Sequence, residues 1–140
     1  MPTLTLKIAP PCAPDRIQAL ACALTAITVQ TLGKRAAVTA VVIDELKAHR
    51  WTVGARPLQP PTALLEISIT AGTNTAAQKA AFIAAAFAEL QQQLALDAAL
   101  EEASYVIVRE LPASDWGYGG PTQQARQLQR AADEAAMQSR

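Results

Sequence analysis

Residues 65–94 read LEISITAGTNTAAQKAAFIAAAFAELQQQL, and two different periods follow one another in that stretch. Leu65, Ile67 and Ile69 alternate with Glu66, Ser68 and Thr70, the period-two pattern of a strand with one buried face. Gly72 closes it. Thr75 and Gln78 then have capping-box spacing ahead of a run in which Phe82, Ile83, Ala86, Leu90 and Leu94 recur at helical intervals. Tyr105 to Arg109 reads as a further strand. A strand, a crossover helix and a strand in one sheet make a parallel pair with a right-handed connection.

The same order occurs earlier in the chain. Leu4, Leu6 and Ile8 alternate with Thr3, Thr5 and Lys7, and Pro10, Pro11 and Pro14 end that strand. From Asp15 the apolar positions Ile17, Leu20, Ala21, Leu24, Ile27 and Thr28 mark an amphipathic helix that Gly33 terminates. Val38 to Ile43 is β-branched and reads as a strand, and the proline-rich stretch from Arg56 to Pro61 as a linker. Trp51 and Trp116 lie 65 residues apart, as do Gly54 and Gly119, whereas Pro2 and Pro61 lie 59 apart. Copy two is therefore longer inside, with the extra length expected in its helix or the loop after it. The expected architecture is α+β: two tandem β-α-β units, at about 2–56 and 61–120, forming one domain over residues 1–120. Its four-stranded mixed sheet would carry two helices on one face and leave the other face for a second subunit. Residues 121–140 form a tail with helical character around Ala125, Leu128, Ala132 and Ala135, expected to dock on a neighbour or stay mobile.

Composition narrows the function classes. The 140 residues include 31 alanines and 6 aromatics, so the core is built from Leu, Ile, Val and Ala. Twelve basic and twelve acidic side chains balance, and no stretch concentrates Lys and Arg, which speaks against nucleic acid or an anionic membrane as partner. The longest uncharged run, 17 residues between Arg16 and Lys34, is interrupted by Gln18, Thr25, Thr28, Gln30 and Thr31, so no membrane span is expected. Neither a signal peptide nor a disulfide framework is visible, and the expected location is the cytoplasm. Cys12, Cys22 and the lone His49 form no metal constellation; Cys22 reads as a small buried helix residue and His49 as a surface residue. The pairs Asp44-Glu45 and Glu101-Glu102 read as solvated carboxylates. Gly117, Gly119 and Gly120 read as a hairpin rather than a phosphate loop, because no lysine and no strand-to-helix junction follow them.

Pro2 directly before a strand, the duplicated unit, and a last strand running into Asp115-Trp116-Gly117-Tyr118-Gly119-Gly120 resemble the tautomerase superfamily. The chain looks like a fused, double-length relative of 4-oxalocrotonate tautomerase and macrophage migration inhibitory factor over residues 2–120. The resemblance implies that Met1 is removed and that the secondary amine of Pro2 is the catalytic base, its pKa brought toward neutrality by burial. It further implies that Lys34 holds a substrate carboxylate as a point charge. Tyr105 would donate its hydroxyl to a carbonyl oxygen, and Trp116, with Trp51 as its duplicate, would close the pocket against water. Pro61 is an internal amide with no basic nitrogen, which leaves one site per chain.

The chain also departs from the pattern. The arginines that grip a dicarboxylate fall on Cys12 and Thr73 in the first loop of each copy, and on Ala40 and Tyr105 in the later strand. Arg35, Arg50, Arg56 and Arg109 are the candidates to replace them. The implied activity is cofactor-independent keto–enol tautomerisation of a small 2-oxo acid or its enol by a homotrimer, with no metal. The alternatives are a trimeric binding protein of the same fold with weak chemistry, or a promiscuous hydratase, dehalogenase or decarboxylase of the same superfamily.

Overall fold

In the computed structural model, which describes residues 1–139, the alternating N-terminal segment is strand β1 (Thr3–Ala9) and the first amphipathic run is helix α1 (Pro14–Leu32). Pro14 opens α1 where its missing N–H costs nothing. Gly33 ends it in the left-handed region at φ 68, its N–H donating to the Val29 carbonyl at 3.0 Å. Strand β2 (Ala40–Glu45) follows two residues later than the sequence suggested, because Ala36–Val38 is spent on a 3-10 turn. Part of the expected linker is structured: β3 (Thr52–Val53) and β4 (Arg56–Pro57) form a small hairpin. Copy two supplies β5 (Thr62–Thr70), α2 (Ala76–Leu94), which starts at the reciprocal Thr75–Gln78 capping box, and β6 (Tyr105–Leu111). Helix α3 (Gln123–Gln138) completes the chain.

The sheet order is β2-β1-β5-β6, with β1 parallel to β2, β5 parallel to β6, and the two copies joined antiparallel through β1 and β5. Leu6 pairs with Leu65, 59 residues on, so the pseudo-twofold axis passes between them. Each helix has 19 residues and the helices stand 62 apart at both ends, so the second helix is not the longer one. Three of the extra residues precede it, at the corner between β5 and α2, and three follow it, in the expected loop before β6. The hairpins keep the register of 65: Leu58 donates its N–H to the Trp51 carbonyl at 3.2 Å and Gln123 to that of Trp116 at 2.9 Å.

Leu4, Leu6, Ile8, Ala63, Leu65, Ile67 and Ile69 point to the helical face, where Leu20, Leu24, Phe82, Ala86 and Leu90 close the core. Cys22, expected inside, is exposed. It follows Leu20 by two residues, about 200° around the helix, and so faces away from the stripe Leu20-Leu24-Thr28-Leu32. The opposite sheet face carries Thr3, Thr5, Lys7, Val42 and Tyr105 in the open and an Arg109–Glu66 ion pair at 3.1 Å. No described helix is long and apolar enough to cross a membrane.

At the end of β6, Glu110 accepts hydrogen bonds from Lys79 and, at 3.2 Å, from the Gly72 N–H. The Lys79 and Gly72 bonds hold its carboxyl below the ordinary value of 4.5. A depressed folded-state pKa gives stability that is present above the ordinary value and lost as pH falls through the lowered one. Glu110→Gln is therefore expected to lower the thermal midpoint slightly near neutrality and to match the wild type in strong acid. Melting curves at both pH values check this, and an equal gap at both would contradict it.

Candidate active site

Thr70 and Met1 meet where the end of β5 passes the beginning of β1, and four segments converge on them. The left-handed turn at Gly33 throws Lys34 and Arg35 off the end of α1 toward the β5–α2 corner. That corner is tied to α1 by Asn74, whose Nδ2 donates to the Leu32 carbonyl at 2.9 Å. Thr73 donates its hydroxyl to the Thr70 carbonyl at 2.6 Å and accepts a hydrogen bond from Lys34 Nζ at 2.9 Å. Lys34 thus stands on the junction between the two copies.

The remaining wall comes from beyond β6. Gly117 bridges to Thr122 so closely that a Cβ on it would lie 2.2 Å from the Pro121 carbonyl oxygen, which explains a glycine there. Thr122 caps α3, accepting from the Ala125 N–H at 3.0 Å. Arg126 lies 3.9 Å from the centroid of the Tyr118 ring and donates from Nη2 to the Tyr118 carbonyl at 2.7 Å. These contacts present Tyr118, Gln123, Gln127 and Arg130 to a cavity of about 190 Å³ shared with Met1, Lys34, Arg35, Val38 and Thr73.

Lys34, Arg35 and Arg130 line this cavity and no Asp or Glu does, in a chain whose formal charges cancel. None of the three cations forms an ion pair among the described residues, where the ion pairs are Lys79–Glu110 and Arg109–Glu66. The α-amine of Met1 is held below its ordinary value of 8.0, first by burial and then by Lys34, Arg130 and Arg35. Burial likewise lowers Lys34. A half-buried lysine and an amine held below its ordinary value, with no carboxylate among the lining residues, make a site for a small anion.

Of the residues singled out from the sequence, Pro2 is buried next to the cavity, its carbonyl accepting from the Ala40 N–H at 3.2 Å, and its nitrogen here is the amide joined to Met1. Lys34 lines the cavity. Trp116 does not: two residues before Tyr118, it anchors α3 through its carbonyl while its indole N–H is buried without a partner. Tyr105 pairs with Leu64 on the open face, about 20 Å along β6 from the end that abuts the cavity, so this chain does not bring it to its own Pro2. Of the four replacement arginines only Arg35 reaches the cavity. Arg50 and Arg56 are exposed around the first hairpin, and Arg109 is paired with Glu66. Cys12 gives its N–H to Glu45 at 2.7 Å, and burial, then Glu45, raise its thiol.

Sequence reasoning missed Tyr118, Thr73 as a partner of Lys34, and Arg130. The spacing of Gln123, Gln127 and Arg130 marks one helical stripe, but only the fold shows what it faces. The pseudo-symmetric position is a cavity of similar size, about 180 Å³, lined by Val53, Arg56, Leu58, Pro60 and Glu101 among others. At corresponding places it offers valine for Tyr118, leucine for Gln123 and proline for Met1, and its one cation, Arg56, is accompanied by Glu101, so the cluster of three cations without an acid occurs in one copy.

No protein-family profile and no curated protein matches this chain. A native fused 4-OT of known crystal structure is 31% identical, with a TM-score of 0.78 over 88% of this chain and 97% of its own. This chain belongs to the tautomerase superfamily. A second fused 4-OT, described as a wild-type asymmetric trimer, is 29% identical with a TM-score of 0.78, covering 89% of this chain and 98% of its own. A macrophage migration inhibitory factor-like protein from Entamoeba histolytica shares the fold at 14% identity, with a TM-score of 0.71 over 86% of this chain and 97% of its own. The fused relatives are spanned almost end to end while about a tenth of this tautomerase-superfamily chain stays outside the match.

Proposed function

We propose that the protein is a cofactor-independent keto–enol tautomerase of a small 2-oxo acid or its enol. Its base is the amine of Pro2 once Met1 has been removed. The observation that carries the reading is the N-terminal amine in a cavity with three cations and no acid, its pKa lowered by that setting. Removing Met1 moves the amine back by one residue, about 3.8 Å, toward the buried Pro2. A secondary amine that is neutral there takes a proton from the carbon beside the carbonyl and returns it to the enol oxygen, or runs the reverse.

Lys34 anchors the substrate carboxylate in this reading: its charge, weakened by burial, is restored by an anion. Tyr118 is the hydroxyl that this chain itself offers to the carbonyl oxygen, and Trp116 supports the hairpin that carries it. Tyr105 serves only across a subunit boundary, in a trimer like that of the fused 4-OT relative. The binding-protein alternative rested on the lack of arginines, and Arg35 and Arg130 remove that support.

The pH dependence tests the reading. Only the neutral amine is a base, so kcat/KM in Met1-free protein is expected to rise with pH through a group titrating below the ordinary α-amine value of 8.0. Arg35 disfavours the protonated amine, so Arg35→Gln is expected to move that limb to higher pH. A limb that stays put in Arg35→Gln, or no limb below 8.0, would overturn the assignment.

A further inference from the structure

Five polar residues are buried among the described residues: Thr28, Thr62, Thr70, Ser104 and Gln123. Three of their side chains are paired inside the protein. Thr28 donates its hydroxyl to the Leu24 carbonyl at 2.7 Å and Thr62 to the Pro60 carbonyl at 3.1 Å, while Ser104 accepts from the Ala63 N–H at 3.1 Å. The other two, Thr70 and Gln123, are 6% and 4% exposed, and their side chains make no hydrogen bond to any described residue. Both line the cavity beside Met1. A buried polar group left unpaired costs free energy, so two of them on one cavity call for an occupant that satisfies both. The fold does not require an amide at position 123: its counterpart in the first hairpin, 65 residues earlier, is the buried Leu58. Gln123 is held by its backbone N–H, which donates to the Trp116 carbonyl at 2.9 Å, and Thr70 by its carbonyl, which accepts from the Thr73 hydroxyl at 2.6 Å. Both residues are thus positioned by bonds that leave the hydroxyl and the amide free.

We propose that Thr70 and Gln123 are ligand-binding residues that together hold an uncharged hydroxyl group of the substrate, which makes the substrate class short hydroxylated 2-oxo acids. A threonine hydroxyl and a glutamine amide each donate and accept hydrogen bonds. A substrate hydroxyl also does both, whereas a methyl group pairs with neither residue and a carboxylate offers them acceptors only. A site built to bond a hydroxyl discriminates strongly against the analogue that lacks it, because its own buried groups are then left unpaired. The cavity, at about 190 Å³, is smaller than those that take drug-sized ligands, which suits an acid of short chain. The proposal rests on the cavity being the substrate site but not on Pro2 being the base.

NMR titration of the Met1-free protein with 4-hydroxybutanoate and pentanoate, monoanions of equal length that differ in a hydroxyl for a methyl, tests it without turnover. The wild type is expected to bind 4-hydroxybutanoate about tenfold more tightly than pentanoate. Gln123→Leu and Thr70→Val are each expected to remove most of that preference, weakening 4-hydroxybutanoate while pentanoate binds at least as well. Their thermal midpoints are expected to stay level or rise, because each substitution removes an unpaired buried group. No binding by the wild type, equal affinity for the two ligands, equal weakening of both in the variants, or no effect of either substitution would overturn the assignment. A fall in both thermal midpoints would overturn it as well, by showing that the two groups are bonded inside the protein. Lys34→Gln is expected to weaken both ligands alike. If it weakens neither while the preference persists, Thr70 and Gln123 keep their role and only the carboxylate anchor is removed. Turnover indifferent to Pro2→Ala with the preference intact likewise supports the hydroxyl site and removes only the proline base.

Discussion

In protein freed of Met1, Pro2→Ala is expected to lower kcat/KM for tautomerisation of a simple 2-oxo acid enol by about two to four orders of magnitude, the range that a positioned general base supplies. The loss is finite because alanine still presents an α-amine at the cavity. That primary amine is less well held: the pyrrolidine ring fixes the direction of the proline nitrogen, whereas an N-terminal alanine amine rotates freely. Lys34 and Arg130 are untouched by the substitution, so most of the change should appear in kcat rather than KM. Steady-state kinetics on both proteins, with the N-terminus verified by intact mass, checks this. An unchanged kcat would mean that the amine is not the base.

The largest effect on stability is expected at Phe82. It is fully buried on α2 and is the largest side chain of the core, in which its neighbours are Leu, Ile and Ala. Small side chains of that kind cannot swell into the space an aromatic ring leaves. Phe82→Ala is therefore expected to cost about 3–5 kcal/mol, the transfer term plus the cavity. Set against a total stability of about 5–15 kcal/mol, that is a large share. Denaturation by urea at fixed protein concentration should show the midpoint falling with little change in slope. A loss of less than about 1 kcal/mol would show that the sheet and helices close over the gap.

The duplicated fold was legible because burial imposed it on the sequence. Leu65-Ile67-Ile69 and Leu4-Leu6-Ile8 alternate because one side of each strand meets helices. Thr75 and Gln78 announce the start of α2 by a hydrogen-bond pattern that has a sequence signature. The 65-residue offset of the tryptophans corresponds to matching hydrogen bonds in the two hairpins. Where such constraints were weak, reading by residue type failed. Cys22 lies off the buried stripe of α1 by half a turn, and the type of residue alone says nothing of its angle around the helix.

The site was legible in part. Lys34 follows a glycine that must end a helix, so its place was fixed by local chemistry. Arg130 and Tyr118 had no such marker. The inward stripe of α3 is glutamine and arginine, so it carries no hydrophobic period, and the apolar residues Leu128 and Met137 face solvent. Tyr118 sits in a hairpin whose Gly119 and Gly120 take positive φ, where strand alternation gives no guide to direction. Tyr105 was placed by its likeness to a family position, and the register of β6 puts it at the far end of the strand from this chain's own cavity.

The most direct test of the account compares the same chain with and without Met1, each verified by intact mass, for turnover of a 2-oxo acid enol. Retaining Met1 turns the Pro2 nitrogen into an amide while leaving Lys34, Arg35, Tyr118 and Arg130 in place. The account predicts much faster turnover in the Met1-free protein, because the Met1 amine of the longer chain lies one residue, about 3.8 Å, away from the position of the Pro2 nitrogen. Equal rates in the two proteins would contradict it.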